Sequence, residues 1–322
     1  MLLQNKLNLE INDHFVIESY IRSNILCEIS KNQIKFALLL EKLRDNLKHS
    51  NNQKICPSEQ LLMELGEKIA MLMHINNQFF LSSSSSGQKE FFLSLEYDYE
   101  RKENDLFLLL IESLHMNAEF LNGNHIKIAF KQQNILNYFI AKGILRNILE
   151  KDSNLMSLAC RNFVEDTELI RICLQLIKME FEKVVSILKH LALISSDNKN
   201  EEGLVNISSN SISLLIALNV NFPGFIFKGI KWNNVNLHDG IFTGAQFIQC
   251  DLKYCNFTNC KLNNVTFEKC NLENVKFKDI TVSDSIKQII TSLAVAKKYE
   301  DLHSYFIALG STDGSIKFAI FF

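Results

Sequence analysis

The clearest pattern along the chain is a large apolar residue at every fifth position from Phe222 to Val282. These residues are Phe222, Phe227, Trp232, Leu237, Phe242, Phe247, Leu252, Phe257, Leu262, Phe267, Leu272, Phe277 and Val282. A second column lies two residues earlier in each repeat, and from Gly240 onward its residues are small or medium-sized. It contains Cys250, Cys255, Cys260 and Cys270. The positions between the two columns are mostly polar.

A period of five fits neither regular element, because a helix repeats its apolar positions after three or four residues and a half-buried strand after two. It predicts a chain that turns a corner in every repeat, so that four corners close a square coil of about 20 residues with strand-like spacing between coils. The large column then fills the centre and the second column fills the space near the corners. The sequence therefore predicts a solenoid, in which each coil contacts only its neighbours.

Five segments carry a resemblance to a known family: NVNLH (234–238), QCDLK (249–253), YCNFT (254–258), KCNLE (269–273) and NVKFK (274–278). They resemble the A-[DN]-L-x-x consensus of the pentapeptide-repeat family, with Cys or Val in place of Ala and Phe often in place of Leu. The resemblance implies a right-handed quadrilateral β-helix over residues 220–283, which at about 20 residues per coil makes about three coils. The core we predict from it comprises Phe227, Trp232, Leu237, Phe242, Phe247, Leu252, Phe257, Leu262, Phe267, Leu272 and Phe277 together with the four cysteines named above.

The same resemblance bears on the cysteines of the second column. Cys250 and Cys270 are 20 residues apart, so we expect them to stack in adjacent coils at roughly strand spacing. Because no CxxC pair occurs and no histidine lies close to these cysteines, we interpret them as small apolar core residues and not as metal ligands.

The first two thirds of the chain show helical periodicity. Apolar spacing predicts helices over 13–46, 58–73, 135–148, 169–194 and 209–219, and partial alternation predicts a short strand over 91–99. The last of these helices leads into the repeats and would cover the first coil, as solenoid ends require.

These elements predict an α+β chain with four parts. Residues 1–155 form a mainly helical, winged-helix-like region and residues 156–219 a helical connector that caps the solenoid. Residues 220–283 form the β-helix, and residues 284–322 form a β-hairpin or partial WD-like unit.

Two further resemblances concern the flanks of the repeats. The segment IAFKQQNILNYFIA (128–141) resembles the element that closes the helical region of NACHT-type proteins of the STAND class, with matches at Phe130, Tyr138 and Phe139. No G-x-x-x-x-G-K-[ST] motif occurs. The resemblance therefore implies the C-terminal part of such a protein without its NTPase module, and nucleotide hydrolysis does not carry over.

The segment 286–322 resembles one degenerate WD repeat. Ala308, Gly310, Asp313 and Gly314 lie among the matching positions, whereas Ala319 and Ile320 stand where Trp and Asp belong. Since a propeller needs several blades, one unit cannot close one. The Asp313-Gly314 pair also favours a hairpin turn in its own right.

Composition and charge limit the function further. With 47% hydrophobic and 22% charged residues, the chain has globular composition, and a net charge of −2 gives no basic field for nucleic acid or an anionic membrane. The N-terminus lacks a secretory pattern and no apolar run is long enough to span a bilayer. We therefore expect a cytoplasmic protein with free thiols and no membrane association.

Candidate chemistry is sparse. The acidic cluster Glu96, Asp98 and Glu100 is typical of a solvated strand face, and the pentad from Gly310 to Gly314 is a turn because it leads into a strand. The histidines are scattered. We predict no catalytic residue, no metal, no cofactor and no small-molecule substrate.

These patterns favour a non-enzymatic scaffold or protein-interaction protein whose partner the sequence does not name. The alternative is a pentapeptide-repeat protein that binds a DNA-associated enzyme such as a topoisomerase, as DNA mimics of this family do, and a hydrolase is a distant third. DNA mimicry needs continuous outward negative charge, but residues 220–282 contain seven lysines and five acidic residues, a net charge of +2. The same charge is too small to favour nucleic-acid binding.

Overall fold

The computed structural model describes residues 14–31, 33, 58–85, 88, 105–121, 125–150, 155–196, 202–262, 264–277, 280–281, 290–297, 305–311 and 316–321. The chain divides into two compact units. The first combines residues 1–146 with 171–176, and the second combines residues 147–170 with 177–322. The chain is mixed helix and sheet, with an N-terminal helical region.

Four helices lie among the described residues of the first unit. They are α1 (His14–Lys31), α2 (Ser58–Ile75), α3 (Asp105–Ser113) and α4 (Gln133–Glu150), the last of which ends in the second unit. Helix α1 buries Ile17, Ile21 and Ile25, which repeat every fourth residue and so lie on one face. That face packs against α2 and α3. The predicted helix over 13–46 is thus present to Lys31, and its remainder lies largely outside the described residues.

A small antiparallel sheet accompanies these helices, and the sequence analysis did not predict it. Its strands are β1 (Leu81–Ser82), β2 (Met116–Leu121) and β3 (His125–Phe130), in the order β1-β3-β2. Alternation along β3 buries Ile126 and Ile128, which lie on the same face of the strand. The strand predicted over 91–99 lies outside the described residues.

The helices before the repeats are short. They are α5 (Met156–Ala159), α6 (Thr167–Ile177), which begins in one unit and continues in the other, α7 (Phe181–Leu191) and α8 (Glu202–Ala217), with 3₁₀ turns at Lys178–Glu180 and Ile194–Ser196. The helical region predicted over 169–194 is therefore interrupted at Lys178. Helix α8 packs against α5, α7 and the second 3₁₀ turn.

After α8 the chain pairs with itself at a constant offset of 20 residues. Three short strands, β4 (Ile226–Lys228), β5 (Gln246–Ile248) and β6 (Thr266–Glu268), are parallel, and Phe227 lies opposite Phe247 as Phe247 lies opposite Phe267. Isolated parallel bridges keep the same offset on the other sides, as between Asn236 and Asn256. We call residues 222–241, 242–261 and 262–281 the first, second and third coils.

Each repeat as far as Asn274 contains one residue with left-handed backbone, at φ between 53° and 73°. These residues are Asn219, Gly224, Gly229, Asn234, Asp239, Gly244, Gln249, Tyr254, Asn259, Asn264, Lys269 and Asn274. Most are Asn, Asp or Gly, the types that adopt this conformation at least cost. A residue of this kind in every repeat lets the chain turn there.

The strands in the last part of the chain pair antiparallel, unlike the parallel strands β4, β5 and β6. Strand β7 (Lys276–Phe277) is antiparallel to β8 (Ile280–Thr281). Strands β9 (Ile290–Lys297), β10 (Tyr305–Ser311) and β11 (Ile316–Phe321) form an antiparallel meander, and β9 pairs antiparallel with β6. The resulting sheet has the order β11-β10-β9-β6-β5-β4.

Candidate interaction surface of the repeat region

The large apolar column lies in the interior of the coils. The predicted core residues from Phe227 to Phe277 are buried, each with at most 7% of its surface exposed: Phe227, Trp232, Leu237, Phe242, Phe247, Leu252, Phe257, Leu262, Phe267, Leu272 and Phe277. The rings of Phe227, Phe247 and Phe267 stack at centroid distances of 4.8 Å, with interplanar angles of 13° and 7°. This distance equals the ordinary spacing between strands, about 4.8 Å, so the ring stack and the backbone pairing have the same repeat.

The cysteines of the second column donate to the preceding coil. Cys250, Cys255 and Cys270 are buried and Cys260 is partly exposed. Each thiol donates to the carbonyl oxygen of the residue 23 positions earlier: Cys250 to Phe227 (3.3 Å), Cys255 to Trp232 (3.4 Å), Cys260 to Leu237 (2.9 Å) and Cys270 to Phe247 (3.2 Å). Burial raises the pKa of Cys255 and of Cys260 to about 12. Those two thiols therefore stay protonated near neutral pH and act as weak donors.

The first coil has no coil before it, and serine hydroxyls take the place of the missing backbone. In the second coil the N–H of Asp251 donates to the carbonyl of Ile230. At the equivalent place in the first coil, the N–H of Lys231 donates to Ser195 Oγ at 3.0 Å. Two residues later the N–H of Asn233 donates to Ser209 Oγ of α8 at 3.2 Å. Buried serines thus satisfy backbone donors at this end of the stack.

Trp232 joins the same end to the helices. Its indole Nε1–H lies 3.1 Å from the carbonyl oxygen of Ala192 and 3.0 Å from Ser208 Oγ. Ser208 in turn donates to the Ala192 carbonyl at 2.5 Å and accepts from Ser195 Oγ at 2.9 Å. Because a buried indole N–H needs a partner, this network fixes Trp232 against Ala192 and the Ser208 side chain of α8.

The outward positions carry polar side chains that are linked from coil to coil. The Nδ2 of Asn256 donates to Asn236 Oδ1 at 3.2 Å, and His238 Nδ1 lies 2.8 Å from Thr258 Oγ1. Asp251, also on an outward position, is half-buried and its Oδ1 lacks a hydrogen-bond partner in the described part of the chain. Burial raises its pKa, although nearby Lys253 opposes this effect. The outward surface is therefore hydrogen-bonded and of mixed charge.

Two apolar side chains interrupt this polar surface. Phe225 and Ile226 are 38% and 57% exposed. Ile226 begins β4, the edge strand of the sheet, and Phe225 directly precedes it. Lys228 at the end of β4 is also exposed. We call Phe225, Ile226 and Lys228 the β4 patch. Apolar residues exposed together on an edge strand are characteristic of contact surfaces.

The first unit contains an ionic network that joins α1, α2 and α4. Glu18 accepts from Tyr138 Oη at 2.5 Å and from Arg22, and Arg22 also pairs with Glu59. Burial opposes ionisation of Glu18, but the hydrogen bonds from Tyr138 and Arg22 outweigh it and lower its pKa. Since cationic and anionic groups are paired across three helices, the network stabilises their packing.

The described residues contain no group of three or more His, Cys, Asp or Glu arranged to hold a metal. None of the described helices combines the length and apolar character that crossing a membrane requires. Two predicted features lie outside the described residues: the acidic cluster Glu96, Asp98 and Glu100, and Thr312 at the centre of the predicted turn.

The backbone pairing at an offset of 20 residues and the buried columns agree with a comparison against protein families. Residues 219–286 match the model of a pentapeptide repeat region. Pentapeptide repeat proteins are typically protein-interaction or scaffold proteins and are generally non-enzymatic. The comparisons with characterised proteins and with solved structures found no match.

Two structural features were missed by the sequence analysis. The left-handed column was visible as a third period-five pattern of Asn, Gly and Asp, two residues after each large apolar position, for example at Asn234, Asp239 and Gly244. The serines that cover the first coil had no comparable pattern, because Ser195, Ser208 and Ser209 acquire their role only when the helices fold onto that coil.

Proposed function

We propose that this chain is a non-enzymatic scaffold, and that its repeats form a right-handed quadrilateral β-helix that presents a binding surface to another protein. The constant offset of 20 residues supports the β-helix, since it places four corners in each coil. Buried serines of the helical cap and of the turn before it, such as Ser195 and Ser209, bind the first coil and support a connector that caps the solenoid. The interior is filled by side chains, so the outer surface is the part available to a partner.

The observation that carries the proposal is the β4 patch. Its apolar side chains are exposed beside a surface that is otherwise polar, and contact with a partner would remove them from water. Lys228 favours a partner that places an acidic residue beside an apolar one.

A topoisomerase-binding DNA mimic is the second candidate. The described residues of the coils contain six lysines and four acidic residues, so charge disfavours it.

We further propose that the chain is the arm and repeat portion of a STAND-class signalling protein of the cytoplasm, with a WD-like unit at its end. The four described helices and the small sheet of the first unit support a winged-helix-like region. The antiparallel meander β9-β10-β11 supports a blade-like unit. The coding sequence on either side tests this directly. A nucleotide-binding motif upstream in frame is the expected result, and unrelated neighbours on both sides would contradict it.

The scaffold function is tested by affinity capture of the full chain after chemical cross-linking in cells that express it. Ile226→Lys places a charge in the β4 patch, and His238→Lys is the matched control on another face. We expect one set of proteins to be captured by the wild type and the control, and its recovery to fall at least about tenfold with Ile226→Lys, the loss expected for an interface hot spot.

Circular dichroism confirms that both variants are folded. Equal capture by all three chains contradicts the proposed surface. Inhibition of DNA supercoiling by a topoisomerase at stoichiometric amounts of the chain favours the second candidate instead.

A further inference from the structure

Cys250 and Cys270 occupy equivalent places in the second and third coils. Their neighbours Asp251 and Asn271 form a parallel bridge, and the N–H of Asn271 donates to the carbonyl of Cys250 at 2.8 Å. Adjacent strands lie about 4.8 Å apart. That spacing falls within the Cα separation of roughly 4.4–6.8 Å over which a disulfide can form.

Each of the two thiols donates to a backbone carbonyl, and the two also influence each other's ionisation. The interaction between the paired sulfurs raises the pKa of Cys250 and lowers the pKa of Cys270. Cys270 is thus the more acidic of the pair, and its thiolate is the better nucleophile. Both side chains are buried, at 2% and 0% exposure, so only a small oxidant suits this site.

Among the described residues of the second column, no other pair of cysteines is stacked in this way. The residues 20 positions before and after Cys255 are Val235 and Val275, and those around Cys260 are Gly240 and Ile280. Cys27 is exposed and lies in the first unit. The chain therefore contains a buried control cysteine and an exposed one.

We propose that Cys250 and Cys270 are a modification site, at which hydrogen peroxide forms a reversible disulfide between the second and third coils. The Cys270 thiolate attacks one peroxide oxygen, the O–O bond breaks, and the released hydroxide takes up a proton to become water. Cys270 is then a sulfenic acid. The Cys250 sulfur attacks it, an S–S bond forms, and the hydroxyl group leaves as water with the Cys250 proton. Two thiols are oxidised and one peroxide is reduced to two waters.

The consequence is a covalent link across a 20-residue segment. The bond constrains the unfolded chain and so stabilises the coils. It also removes the two S–H donors that now bind the carbonyls of Phe227 and Phe247. Loss of those hydrogen bonds opposes the disulfide and makes it easier to reduce, as expected of a labile bond and not of a permanent structural one.

The full chain, purified in its reduced form, is treated with hydrogen peroxide, alkylated under denaturing conditions and digested for mass spectrometry. We expect a linked peptide pair containing Cys250 and Cys270, lighter by two hydrogens and split by dithiothreitol. Cys255→Ala should retain the link and Cys250→Ala should abolish it. In Cys250→Ala the sulfenic acid of Cys270 has no partner, and dimedone should label it.

A second readout is thermal unfolding of the second unit. Its midpoint should rise on oxidation in the wild type and in Cys255→Ala, fall back with dithiothreitol, and stay constant in Cys250→Ala. Cys250→Val provides an alternative variant if Cys250→Ala does not fold, since valine occupies this column at Val235. The proposal is overturned if both thiols remain free while Cys27 is oxidised, if only sulfinic acid forms, or if the bond joins other cysteines.

Discussion

At the scale of single residues, backbone conformation decides which side chains the repeats tolerate best. A left-handed conformation costs an ordinary L-residue about 1–2 kcal/mol, and Asn reduces the cost because its short side chain bonds locally. Most repeats follow this preference. Gln249, Tyr254 and Lys269 do not, so the repeat region retains strain that substitution can remove.

Lys269→Asn is therefore expected to raise the free energy of unfolding by about 0.5–1 kcal/mol. Lys269 has φ 53° and pairs with Glu268 at 3.8 Å on the surface. Loss of that exposed ion pair subtracts little. Urea denaturation measures the change. Lys228→Asn is the control, because Lys228 is also exposed but lies in a strand, and it should give no gain. Equal effects of the two changes would refute the strain argument.

At the scale of elements, the first coil is hydrogen-bonded to α8 and to the turn before it. Strands pair with strands inside the stack, but at its first coil the partners are side chains of α8 and of the turn before it. Trp232 takes part in both kinds of contact. Its ring lies in the interior column, and its indole N–H donates to Ser208 and to the carbonyl of Ala192. The junction is thus held by specific hydrogen bonds as well as by apolar packing.

Trp232→Phe keeps an aromatic ring in the column, as at most neighbouring repeats, and removes only the N–H donor and part of the volume. We expect it to lower the free energy of unfolding by about 1–3 kcal/mol. Ser208→Ala removes one acceptor of the same donor. The two changes should be non-additive in a double-mutant cycle, with a coupling on the order of 0.5–2 kcal/mol. Additive losses in urea denaturation would show that the two groups do not act together.

The elements also show what sequence alone can predict. The period of five identified the buried columns because each repeat has the same type of residue at the same position. Helices such as α4 were predicted from the spacing of their apolar residues. The β2–β3 hairpin was missed because its strands are only six residues long and were overlooked between two strong helical patterns. The pairing of β9 with β6 could not be predicted, since it depends on a contact between distant segments and not on a local pattern.

At the scale of the whole molecule, a histidine of the first unit makes stability depend on pH. In the first unit, burial and the nearby charge of Lys131 lower the pKa of His115 from its ordinary value of 6.5. Just below pH 6.5 the unfolded chain therefore binds more protons than the folded one. The first unit loses stability as the pH falls through this range.

His115→Asn should reduce that loss. Asn accepts the left-handed backbone found at His115, where φ is 56°, and it does not titrate. Urea midpoints compared between about pH 7.5 and about pH 5.5 should fall less in the variant than in the wild type. His190→Asn, which replaces an exposed histidine of α7, serves as control and should leave the slope unchanged. A slope that His115→Asn does not alter would assign the pH dependence to other groups.

The offset of 20 residues also restricts how this chain can change length. Deleting or duplicating a single pentad keeps the apolar columns in the interior. However, it rotates every later repeat by a quarter turn, so that outward side chains that lay on one face before and after the change now lie on different faces. Only the gain or loss of four pentads together preserves both the filling of the interior and the alignment of the exterior. Natural variants of this protein should therefore differ in the repeat region by whole turns.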